Sequence, residues 1–190
     1  MIPRETYGAL NSDLTPEQTA AVLEGIRDAG LISFLQRKPL GTLEFVEKLN
    51  TGDFLLDLWL SGFTVFPDDL DYPYMAVGKV TRVPADARAL TLENAGKLEV
   101  FSLPESPERY MKGVFVHELG HHVLFEGGPQ LEPQVRGWFA RGRPITGYAA
   151  TVWDEYFCES LAAYTYAPEV LRAYDAVGYR MIETVLGGLS

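Results

Sequence analysis

The chain holds one cysteine, Cys158, and three histidines, and it has neither a long apolar run nor a surplus of basic residues. A single cysteine excludes a disulfide within the chain and leaves the redox compartment open. No stretch reaches the roughly 20 apolar residues that cross a bilayer. The N-terminal MIPRETYGALNSDL has no apolar signal core. Lys and Arg number 16 against 26 Asp and Glu, a formal charge of −10, which argues against a nucleic-acid backbone or an anionic membrane as partner. The chain as it stands reads as cytoplasmic, or as secreted if a signal has been removed. Its 190 residues contain no repeat, low-complexity tract or linker, so one domain spanning 1–190 is expected.

All three histidines fall within FVHELGHHVLF: His117, His121 and His122. On a helix, residues four apart differ by about 40° around the axis, so His117 and His121 project from one face. Two neutral imidazoles held this way supply two of the three protein ligands of a catalytic zinc, with a fourth position left for water. Glu118 lies beside them around the helix, where it can take a proton from that water as general base. His122 is turned about 100° from His121 and away from the metal; it reads as structural.

Along the chain, Thr15-Pro16-Glu17-Gln18 starts a helix that Gly30 stops, and Leu43, Val46 and Leu49 suggest a second over about 42–49. From 54 to 80 the sequence turns β-rich, with FLLDLWL, FTVF and MAVGKV separated by Gly62 and the acidic loop FPDDLDYP. ALTLENAGKLEVF reads as a hairpin through Asn94-Ala95-Gly96, whose KLEVF strand is a candidate edge. Ser106-Pro107 opens the motif helix and Gly127-Gly128-Pro129 closes it. The segment LEPQVRGWFARGRPITG reads as irregular; Thr151 then caps a helix stopped by Pro168, and a last helix covers about 169–186. The expected fold class is α+β: a helical N-terminal part (about 1–52), a β-rich part with a small mixed sheet (about 54–105), and metal-site helices (about 106–190).

With no histidine left, the third ligand is sought among carboxylates and Cys158. Glu126 lies on the motif helix but about 140° from His121. Glu132 has no motif around it, and a Cys158 thiolate would leave a nearby pair of acids unexplained. That pair, Glu155 and Glu159, lies four apart on the otherwise apolar stretch VWDEYFCESLAAYTYA. A buried unpaired charge is costly, so a metal or a metal-bound histidine must answer them. Glu155 is assigned as third ligand and Glu159 as the group that orients a histidine.

HELGHH followed by ITGYAATVWDEYFCESLAAY resembles the zinc metallopeptidases related to the anthrax lethal factor catalytic domain, which include the bacterial proline-proline endopeptidases. In that family a Tyr stands seven residues before the ligand Glu and a second Glu four after it; Tyr148, Glu155 and Glu159 reproduce both intervals. The resemblance covers about 114–166. It implies a zincin-like, gluzincin-like metallopeptidase domain with one zinc per chain, held by His117, His121 and Glu155. It further implies Tyr148 as hydrogen-bond donor to the oxyanion and a peptide or protein substrate. The motif is also similar to that of the intracellular ImmA/IrrE-like peptidases, which act on regulators but do not account for Tyr148. A non-catalytic, zinc-stabilised binding module is the alternative from another class, and an intact Glu118 speaks against it.

Overall fold

The computed structural model describes residues 9–10, 15–40, 42–46, 62–65, 74–78 and 107–189, with side chains over 15–16, 19–20, 22–40 and 111–189. In order the elements are β1 (Ala9–Leu10), α1 (Pro16–Asp28), α2 (Ile32–Arg37), β2 (Thr42–Val46), β3 (Gly62–Val65), β4 (Tyr74–Gly78), α3 (Pro107–Glu126), α4 (Leu131–Phe139), α5 (Trp153–Tyr166), α6 (Pro168–Tyr174) and α7 (Ala176–Gly188).

The expected α+β class is corrected. Of the residues with described side chains 74% are helical, and none lies in a strand or sheet. The four strand segments pair in the order β1-β2-β4-β3. The part of the chain whose side chains are described is thus helical. FLLDLWL, the FPDDLDYP loop, the ENAG hairpin and KLEVF lie outside the described residues, as does Ser106.

Local chemistry explains the helix ends. Pro16 opens α1 after Thr15, whose carbonyl accepts the Thr19 amide at 2.9 Å. At the other end Gly30 adopts φ +71. The Leu31 amide then reaches Ile26 O (3.1 Å) and the Gly30 amide reaches Arg27 O (3.0 Å), which pairs the last carbonyls in a Schellman turn. Leu31 is thereby driven into the core, fully buried.

Several expected boundaries move. Residues 42–46 are extended, paired in parallel with β4, while the unanticipated α2 fills 32–37. The stretch read as irregular contains α4. Val152, extended at φ −157, takes the N-cap of α5 in place of Thr151, whose hydroxyl instead donates to Tyr148 O at 2.7 Å. The last helix is split at Asp175: its Oδ1 accepts the Gly178 amide (3.0 Å) and caps α7, and its Oδ2 accepts the buried Tyr156 hydroxyl (2.5 Å), tying α7 to α5.

Two helices form the centre. Residues 113–120 of α3 and 156–163 of α5 are buried without a break, so both helices are enclosed on every side and carry His117, Glu118 and Glu159 into the interior. Val116, Leu119 and Val123 of α3 share one core with Phe157, Leu161 and Ala162 of α5. Their closest approach is at Gly120, where an added Cβ would lie 2.8 Å from Cys158 Sγ and 3.0 Å from Cys158 Cα. Gly120→Val should overpack this crossing at a cost of roughly 1–3 kcal/mol and lower the melting temperature by several degrees. Gly137→Ala, on a helix position with nothing within 4 Å, should hold or raise it; thermal denaturation followed by circular dichroism checks both.

Candidate metal centre

His117 and His121 face α5 from α3, their rings 5.2 Å apart edge to face. Glu155 reaches them from the first turn of α5. Its Oε2 stands 3.0 Å from His117 Nε2 and 3.6 Å from His121 Nε2, is buried, and makes no directed hydrogen bond. Two ligand atoms about 2.0–2.2 Å from one tetrahedral ion lie ~3.3–3.6 Å from each other, a range near both separations.

His117 is held from behind. Its Nδ1 meets Glu159 Oε1 at 2.8 Å. A carboxylate oxygen only accepts, so Nδ1 carries the proton and the Nε2 lone pair is turned toward Glu155 and His121. The other oxygen, Glu159 Oε2, accepts from the Thr146 hydroxyl (3.0 Å), which itself accepts the Ala149 amide (2.9 Å). Two residues on, the Tyr148 hydroxyl donates to Glu155 Oε1 at 2.8 Å, and its ring stacks on His117 with centroids 5.9 Å apart. The loop between α4 and α5 thus fastens both glutamates of α5. Thr146 had no periodic signal in the sequence; its buried hydroxyl is recognisable only once the loop is folded against Glu159.

The electrostatics call for a cation. Glu118 is 4% exposed and Glu159 0%, and Glu155 is mostly buried, so three carboxylates surround two imidazoles in a dry site. Burial alone would lower the His117 pKa, but the carboxylates of Glu155 and Glu159 outweigh it and raise it well above the ordinary value. Burial would raise that of Glu155, yet the two histidines hold it well below the usual carboxylate range. Burial and then Glu155 push the Tyr148 hydroxyl far up, so it stays a donor. A proton or a metal ion between His117 and Glu155 answers the same deficit of positive charge.

His117, His121 and Cys158 also present ligand atoms within 4.8 Å of one another and could hold a metal ion. Cys158 and Glu155 therefore contend for the third position. The Cys158 thiol is fully buried, and burial first, then Glu155 and Glu118, raise its pKa well above the ordinary value. Forming a thiolate there would add a negative charge beside three carboxylates. The remaining candidates are engaged elsewhere: Glu126 with Lys38 Nζ (2.8 Å) and Glu132 with Arg136 Nε (2.8 Å). His122 points away, as expected, with Nε2 against Lys38 O at 2.9 Å and its ring edge-on to Phe34.

No protein-family model, curated protein or solved structure matches the chain. None of the helices of the described residues is long and apolar enough to cross a membrane.

His117→Ala and His121→Ala should each abolish metal retention after metal-replete purification, and Glu159→Ala should weaken it by about 10–100-fold. His122→Ala should keep the metal and lose stability instead; elemental analysis with thermal melts separates these outcomes.

Proposed function

We propose that the chain is a zinc-dependent endopeptidase. The observation that carries the reading is the arrangement at Glu155. A buried oxygen without a directed hydrogen bond faces the Nε2 atoms of both motif histidines, while the neighbouring acid, Glu118, belongs to neither possible ligand trio.

In this reading His117, His121 and Glu155 hold one zinc, which when bound supplies Lewis acidity to the scissile carbonyl and lowers the pKa of water toward ~7. Glu159 and Thr146 keep the His117 ring in the tautomer that presents Nε2. Glu118 accepts the proton of the attacking water and delivers it to the leaving amine. Tyr148, protonated and braced by Glu155, donates to the carbonyl oxygen as negative charge develops there. The substrate is a peptide or protein.

A second reading is favoured by the closeness of Cys158: a closed, stabilising site of His117, His121, Cys158 and Glu155, with no position left for water. Cys158→Ser decides between them. The peptidase reading expects zinc and activity to be retained, and the closed-site reading expects zinc to be lost.

Glu118→Gln should keep zinc and lose cleavage of a random peptide library by about 10²–10⁴-fold, read by mass spectrometry against the wild type. Tyr148→Phe should likewise keep zinc and lose about 10²–10³-fold, mostly in kcat. Cleavage by Glu118→Gln at the wild-type rate would sink the proposal.

A further inference from the structure

Beside His121 a cleft of about 390 Å³ opens between α3 and α5, with walls from Leu124, Phe125, Pro129 and Trp153 and with Asp154 and Glu132 also lining it. The walls are apolar and open to solvent: Phe125 is 53% exposed, high for a side chain of its size. The two acids differ in what answers their charge. Glu132 pairs with Arg136 at 2.8 Å, and the Arg136 guanidinium lies over the Trp153 ring, 4.8 Å from its centroid, so that charge is met within the wall.

Asp154 is not met in this way. Its Oδ1 accepts the Glu155 amide at 3.0 Å, and no Lys, Arg or His of the described residues forms an ion pair with it. It lies in the first turn of α5. The cleft therefore joins an apolar trough to one carboxylate that no cationic side chain of the described residues pairs with, next in sequence to the proposed ligand Glu155 and lining the same cleft as His121. An acidic side chain would be repelled there. A neutral apolar one would cover the trough and leave the carboxylate unanswered. A side chain with a long aliphatic stem and a cationic tip satisfies both parts.

We propose that this cleft is a specificity pocket for a Lys or Arg side chain of the substrate, its stem on Phe125, Leu124 and Trp153 and its charge on Asp154. The inference rests on the peptidase reading and adds to it the class of residue recognised.

The test uses the full-length, zinc-loaded chain and fluorescent decapeptide pools, random except for Lys, Arg, norleucine, Phe or Glu fixed at one position per pool. Cleavage is measured with the wild type, and binding by anisotropy with Glu118→Gln, so that recognition is read without turnover. At one position the Lys or Arg pool should exceed the norleucine and Phe pools by about tenfold, as expected for one solvent-accessible charge-assisted contact. Asp154→Asn, which keeps an acceptor for the Glu155 amide, should bring that ratio to about 1, and Asp154→Lys should favour the Glu pool. A preference for norleucine or Phe, or a Lys preference that survives Asp154→Asn, overturns the pocket. Cleavage with no preference overturns the pocket and leaves the peptidase standing. Asp154-dependent binding of Lys or Arg pools without any cleavage upholds the pocket and removes the peptidase. Neither binding nor cleavage removes both.

Discussion

Three carboxylates gathered in a dry space around two imidazoles constrain the rest of this molecule. Glu118 shares α3 with His117 and His121, while Glu155 and Glu159 arrive on α5, so neither helix alone contains the arrangement. Separated, the acids would be hydrated at little cost; docked, they need a cation and hydrogen-bond donors or they oppose the docking. The fold answers by burying both helices on all sides, by admitting close contact at Gly120, and by leaving one carboxylate oxygen turned toward both Nε2 atoms. Ligand binding and helix docking are then one equilibrium, and any cation that prefers the assembled site stabilises the fold by mass action.

A second tier keeps this arrangement in register. Thr146 and Tyr148 leave a single loop and reach Glu159 and Glu155, which lie one helical turn apart on α5. A displacement of the loop therefore acts on the histidine-orienting acid and on the histidine-facing acid together. The C-terminal helices steady α5 from the far side through the Tyr156–Asp175 hydrogen bond, which also supplies the cap of α7.

How far the sequence revealed this depended on which features repeat. His117 and His121, and Glu155 and Glu159, are visible because a spacing of four is a physical statement about a helix face. Pro107 and Gly128 mark the ends of α3 for equally local reasons. Where the signal was ambiguous the reading failed. The stretch 42–49, with Leu43, Val46 and Leu49 at helical spacing, fits a helix or a strand, and over 42–46 pairing with β4 decided for the strand. The stretch that holds α4 reads as irregular, yet its Pro133, at the third position of the helix, loses only an amide that has no intrahelical partner there. The mixed sheet was inferred from apolar runs lying mostly outside the described residues, and the described core comes from the helices and the turns between them. Thr146 could not have been found, because a lone threonine in a loop acquires meaning only from its partner across the fold.

The Tyr148 hydroxyl has one proton to give, and in this structure Glu155 receives it. In the proposed reaction the same proton is needed at the carbonyl oxygen of the substrate, so engagement of one acceptor releases the other. A Glu155 relieved of its hydrogen bond is the more basic, electron-rich donor at the moment the carbonyl is being polarised. The tyrosine would act as a toggle through which occupancy of the substrate position tightens the grip of Glu155 on the ion, and by reciprocity a firmly held ion would favour substrate.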